Sequence, residues 1–129
     1  MKVNIFFTVF LGILFFSCAP SNAQNQRIGA DAFEQKMNTL KNEQLVDVRT
    51  PAEYAAGHIP NSVNINFNAP DFAANIQKLD RSKPVLVYCA AGGRSAKALK
   101  LLNDLQFKEV YELSVGFNGW SQAGKPSTK

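Results

Sequence analysis

Apolar residues switch between helical and strand spacing along the chain, and the switches mark out the elements. Ala30, Phe33, Met37 and Leu40 fall on one helical face, with Asp31 and Glu34 near its positive end. Leu45-Val-Asp-Val48 predicts a short buried strand halted at Pro51, and Ala52 to Ala56 a helical turn closed by Gly57. Val63-Asn-Ile65 predicts a second short strand, and Phe72, Ile76 and Leu79 a further helix. Pro84 to Cys89 is apolar on both faces, as central strands of parallel sheets are. Ala98, Leu101, Leu102 and Leu105 recur at helical spacing, with Lys97, Lys100 and Asp104 turned outward. Val110-Tyr-Glu-Leu113 predicts a last strand, and Gly116 to Gln122 a final turn or helix. Alternation of this kind implies an α/β domain, a parallel sheet with helices on both faces, whose ligands lie beyond the carboxyl ends of the strands.

The first residues follow another pattern. Met1-Lys2 is a short positive start, and Val3 to Phe16 is almost uninterrupted apolar sequence, shorter than the roughly 20 residues a membrane span needs. Residues 1–17 are therefore expected to be a signal peptide. Phe15-Phe16-Ser17-Cys18 resembles a bacterial lipoprotein box, with Cys18 as the lipidated residue, although Phe15 stands where leucine is usual. Ser21-Asn22-Ala23 offers an alternative cut after Ala23. The expected organisation is signal peptide 1–17, tether 18–28, one domain over 29–122 and a flexible tail 123–129. The expected location is the bacterial cell envelope, either as a membrane-anchored lipoprotein facing the periplasm or as a free periplasmic protein.

Removing the signal leaves about 105–112 residues, enough for one core. Fourteen basic and ten acidic residues give a net charge of +4; without Lys2 thirteen remain and the charge is +3. The cations are scattered, which fits a solvated surface and argues against nucleic acid as a partner. A single histidine, His58, and the lack of a His/Cys/carboxylate cluster at zinc spacing argue against a metal. No cofactor is expected, and the domain is expected to be a monomer.

Cysteine usage narrows the chemistry. Under either cut Cys89 is the one thiol of the domain, so neither a disulfide framework nor a dithiol mechanism is available. Cys89 ends the central strand and opens Ala90-Ala91-Gly92-Gly93-Arg94-Ser95, which leads into a helix. Free cysteines often simply pack at such positions. Backbone N–H groups at a helix start also favour thiolate over thiol, and glycines let backbone approach a ligand closely. A peroxide-sensing thiol would need a resolving cysteine that the domain lacks.

These residues carry a resemblance. Asp47-Val-Arg49, Glu53-Tyr54, Gly57-His58-Ile59-Pro60-Asn61-Ser62 and Asn64 resemble the first signature of the rhodanese-like sulfurtransferases. Cys89-Ala-Ala-Gly92-Gly93-Arg94-Ser95 is similar to the active-site loop of that family, and Val110 to Trp120 to its closing segment. The resemblance implies a single domain with a five-stranded parallel sheet flanked by helices. It implies a catalytic Cys89 that carries sulfane sulfur as a persulfide, from thiosulfate or a persulfide donor to a thiol or cyanide acceptor. Ala90, Ala91, Gly92, Gly93, Arg94 and Ser95 would then bind substrate, with Asp47 and Arg49 in support. Phosphatases of related fold carry a longer loop with arginine six places after the cysteine; here Arg94 is five places on.

Two features depart from the family. Ala90 and Ala91 give the loop no cation, which disfavours a doubly negative donor. Val115 stands where the first of two glycines is usual. His58 is expected to satisfy backbone groups in its turn, and Trp120 to fill the core. The alternative function is a non-catalytic rhodanese-like binding module of the envelope; retention of both the thiol and its glycine-rich loop argues against it.

Overall fold

The computed structural model describes residues 25–129. The expected signal peptide, Cys18 and the cut after Ala23 lie outside the described residues. Ten elements follow in order: β1 (Asn25–Ile28), α1 (Ala30–Thr39), β2 (Gln44–Asp47), α2 (Pro51–Ala56), β3 (Val63–Asn64), α3 (Phe72–Ile76), β4 (Val85–Tyr88), α4 (Gly93–Asp104), β5 (Val110–Leu113) and α5 (Gly116–Gln122).

The strands form one parallel sheet in the order β1-β5-β4-β2-β3. Alternation along each strand sorts side chains onto two cores. Val46, Val85, Val87, Cys89 and Val110 face α3 and α4, meeting Phe72, Ile76, Ala98, Leu99 and Leu102. Leu45, Leu86, Tyr88, Tyr111 and Leu113 face α1 and α5, meeting Phe33 and Trp120. Burial on both sides explains why β4 reads as a continuous apolar run. It also gives α4 a wider apolar stripe than its spacing predicts, because Leu99 is buried as well.

Two boundaries differ from expectation. Residues 25–28, placed in the tether by their polarity, form β1 and pair with β5 from Asn25 opposite Val110 to Ile28 opposite Leu113. An edge strand is hydrogen-bonded on one side only, so Asn-Gln-Arg-Ile need show no apolar alternation. Residues 123–129, expected to be flexible, are tied down instead. The Trp120 indole N–H donates to the Pro126 carbonyl at 2.8 Å, and Thr128 pairs antiparallel with His58. The physical cause is Trp120 itself, which is 1% exposed and needs an acceptor for its N–H.

Neighbouring strands β4 and β2 send their connections to opposite edges of the sheet. Such a reversal opens a crevice at the carboxyl ends of the two strands. Asp47 to Glu53 leave β2 there, and Cys89 to Ser95 leave β4 there.

Candidate active site

Cys89 is the first residue beyond β4 and is 1% exposed. The chain then turns through Gly92, whose φ of 95° is left-handed, and enters α4 at Gly93. That turn brings the loop's own donors back onto the sulfur. The Gly92 amide lies 3.1 Å from Cys89 Sγ and the Ser95 hydroxyl 3.2 Å from it. Burial pushes the thiol's pKa up, but the Ser95 hydroxyl and amide, with the amides of Ala91 and Gly92, outweigh it. The thiol ends below its ordinary value of 9.0.

Two of the loop glycines have unequal tasks. A Cβ on Gly92 would run into the Ser114 carbonyl oxygen, whereas one on Gly93 meets nothing within 4 Å. The back of the loop is held by α5, where the Phe117 amide donates to the Cys89 carbonyl at 2.7 Å and the Asn118 amide to the Ala90 carbonyl at 3.0 Å. Gly116, at φ 62°, brings its backbone against Ala90, and a Cβ there would strike the Ala90 carbonyl. Val115 has φ −86°, a conformation open to any residue, and its side chain packs over Gly119. The left-handed turn belongs to the second glycine position, so a valine at the first is accommodated.

Arg94 does not present an unpaired charge to the loop. Its two terminal nitrogens donate to the two Glu53 carboxylate oxygens at 2.8 and 3.0 Å, bridging α4 and α2 across the crevice. Glu53 meanwhile completes a capping box: its carboxylate accepts from the Thr50 amide and hydroxyl, both at 2.9 Å, and its own amide donates to Thr50 Oγ1. These donors, Arg94 first, hold the Glu53 carboxyl at about 2 despite partial burial. The pattern Thr50-Pro-Ala-Glu53 is the sequence signal of such a box.

Asp47 and Arg49, at the carboxyl end of β2, form a buried ion pair. Arg49 Nη2 lies 2.7 Å from Asp47 Oδ2, and Nε contacts both carboxylate oxygens at 3.0 and 3.1 Å. Nη2 also donates to the Gly57 carbonyl at 2.6 Å, and the guanidinium lies 4.2 Å over the Phe117 ring. Asn64 donates to the Asp47 and Arg49 carbonyls, joining β3 to the same cluster. His58 stacks on Tyr54 at 3.7 Å, its Nδ1 2.9 Å from the Tyr54 carbonyl.

The structure thus gathers Cys89, Ala91, Gly92 and Ser95 around one sulfur, and sets Arg94 beside it in a separate ion pair. Sequence reasoning gave no role to Glu112, which is fully buried on β5 and accepts from Ser95 at 2.5 Å and from Arg27 Nε at 2.6 Å. Its signal was a carboxylate inside the apolar run Val110-Tyr-Glu-Leu113. Among the described residues no cluster of His, Cys, Asp or Glu could hold a metal ion.

Comparison with known proteins agrees with this fold. The family model described as Rhodanese-like domain matches residues 29–123. The chain is 39% identical over 77 residues to the thiosulfate sulfurtransferase GlpE of Pseudomonas syringae pv. syringae, covering 59% of this chain and 70% of that relative. It is 32% identical over 121 residues to the uncharacterized protein YqhL of Bacillus subtilis, covering 93% and 94%. Among solved structures, a rhodanese-related protein of Thermoplasma volcanium superposes with a TM-score of 0.71 at 29% identity, covering 80% of this chain and 97% of that one.

Proposed function

Because the chain belongs to the rhodanese-like domain family, we propose that it is a sulfurtransferase with Cys89 as nucleophile. The observation that carries this reading is the cradle of N–H and O–H donors closing on Cys89 Sγ, which favours thiolate without a histidine base. The thiolate attacks the outer sulfur of the donor. The donor's S–S bond breaks, its electron pair leaves as sulfite or as a thiolate, and Cys89 becomes a persulfide. An acceptor thiolate or cyanide then attacks the outer sulfur of that persulfide, and Cys89 thiolate is regenerated.

An organic persulfide fits the loop better than thiosulfate. Ala90 and Ala91 supply no cation, and the charge of Arg94 is balanced by Glu53. A dianion therefore gains little attraction at the sulfur, whereas a persulfide needs only the cradle. The apolar segment before Cys18 supports export to a bacterial cell envelope, with a lipid anchor at Cys18. Fractionation of cells expressing the chain beside Cys18→Ala tests that placement; equal membrane association of both would reject the anchor.

The transfer chemistry is tested by intact mass of the full-length chain carrying Cys18→Ser after thiosulfate or glutathione persulfide. One added sulfur, larger in yield from the persulfide, removable by cyanide and absent in Cys89→Ser, is expected. No addition from either donor to a reduced, alkylatable Cys89 would instead favour the binding module.

A further inference from the structure

The buried carboxylate of Glu112 has no part in the transfer steps above, yet it is wired to the nucleophile. On β5 it stands in register with Arg27 of β1 and faces α4 beside Ser95. Its Oε2 accepts from Arg27 Nε at 2.6 Å and its Oε1 from the Ser95 hydroxyl at 2.5 Å. The same hydroxyl lies 3.2 Å from Cys89 Sγ. A chain of polar contacts runs from Arg27 through Glu112 and Ser95 to the sulfur.

A serine hydroxyl carries one proton and cannot serve two anions at once. Two arrangements satisfy every atom. In one, the Cys89 thiol donates to Ser95 and Ser95 donates to the Glu112 carboxylate. In the other, protonated Glu112 donates to Ser95 and Ser95 donates to the Cys89 thiolate. Each holds the same number of protons and one negative charge. With both groups ionised, one anion loses the Ser95 hydroxyl as a donor and two negative charges flank a single oxygen in a buried site.

Charged and polar groups stand against both ends of this chain of contacts. Arg27, half-exposed on β1, pairs with the carboxylate and also lends its positive charge to the sulfur. The amides of Ala91, Gly92 and Ser95 favour the thiolate. Arg94 of α4 also faces the sulfur, with its charge shared by Glu53 of α2.

We propose that Glu112, acting through the Ser95 hydroxyl, accepts the proton of Cys89 and retains it while sulfur is carried. The Cys89 S–H bond breaks as Ser95 takes that proton and passes its own to Glu112 Oε1. The negative charge moves from Glu112 to Cys89, and no proton is exchanged with water. Glu112 is a positioning residue for the proton and does not touch the transferred sulfur. The inference deepens the sulfurtransferase reading, on which its purpose rests.

The test is the pH dependence of Cys89 alkylation by iodoacetamide, in the full-length chain carrying Cys18→Ser and without any sulfur donor. A proton shared by two groups gives a rate that rises in two steps separated by a plateau. Glu112→Gln keeps the shape but cannot take the proton. Its rate is expected to rise in a single step, falling about tenfold per pH unit below the midpoint where the parent is flat. Ser95→Ala should likewise show one step, and Ser95→Thr, which keeps the hydroxyl, should restore the plateau. A single step in the parent, or a plateau that survives in Glu112→Gln or in Ser95→Ala, overturns the proposal. If Glu112→Gln does not fold, the Ser95 pair decides. Loss of sulfur loading with the two-step profile intact would overturn the sulfurtransferase reading alone.

Discussion

Arg94 turns its guanidinium onto Glu53, 2.8 and 3.0 Å from the two carboxylate oxygens, so the loop's one cation is spent across the crevice. The pair joins the start of α4 to the cap of α2, and it sets the charge at the mouth. Glu53→Gln would free Arg94 for an anionic donor. The KM for thiosulfate is expected to fall roughly fivefold, about 1 kcal/mol for a partly exposed charge. The KM for an alkyl persulfide, which brings at most one negative charge, should fall less. Steady-state assays with both donors check the contrast; equal effects on both would place Arg94 outside substrate recognition.

Acid should loosen the same pair. Glu53 is held at about 2, below its ordinary 4.5, chiefly by Arg94. A carboxyl with a depressed pKa in the folded state stabilises fully above its unfolded value and loses that contribution as pH falls through its folded one. The stability gap between the parent and Glu53→Gln should therefore shrink between about pH 4.5 and pH 2. Urea unfolding across that window measures it, and a gap that stays constant would show that Glu53 ionisation adds nothing.

Gly92 and Gly93 are adjacent and chemically identical, but only Gly92 carries the turn. Gly92→Ala combines about 1–2 kcal/mol for a left-handed alanine with a clash on the Ser114 carbonyl, and it displaces the amide that faces Cys89. Sulfur transfer is expected to drop about 100-fold, as for loss of a preorganised anion donor. Gly93→Ala meets open space at the start of α4 and should leave transfer unchanged while raising stability by up to about 1 kcal/mol. Comparable losses in both variants would contradict this division.

The strand-loop-helix around Cys89 was legible because burial on both faces leaves an apolar run and the turn demands glycine. β1 was not, because an edge strand tolerates Asn25, Gln26 and Arg27 without an apolar signature. Its absence from the apolar pattern also hid Arg27, and with it the ion pair that keeps Glu112 in the core. Tethering of residues 123–129 was hidden for another reason. It depends on one indole N–H and on where Pro126 arrives in space, neither of which periodicity encodes. Asp47 and Arg49 could be located by motif, but whether Arg49 faced ligand or protein depended on the Gly57 carbonyl and Phe117 being in reach.

Arg49 is therefore expected to act on stability. Arg49→Met leaves the buried Asp47 carboxylate without its cation and the Gly57 carbonyl without its donor. Breaking one side of a buried pair costs about 3–5 kcal/mol. Urea unfolding should show that loss, whereas sulfur loading per folded molecule stays near the parent value. A selective fall in loading, with stability unchanged, would make Arg49 a substrate contact.

The C-terminal tail offers the last test, because its contribution can be separated from that of the ring beneath it. Trp120 reaches Pro126 through its indole N–H, and the Lys125 amide returns to the Trp120 carbonyl at 3.2 Å. Truncation after Gly124 removes the acceptor and uncovers part of a ring that is otherwise 1% exposed. The expected cost is about 1–3 kcal/mol for the lost hydrogen bond and burial. Trp120→Phe removes the same donor in the intact chain, so the two changes act on one contact and should not add. In the truncated chain Trp120→Phe should cost less than in the full one by about 1 kcal/mol. The ion pairs of Lys125 with Asp31 and Glu34 lie at the surface, so Lys125→Ala should change stability little. Full additivity of truncation and Trp120→Phe would mean that the tail stabilises the domain through His58 and Thr128 instead.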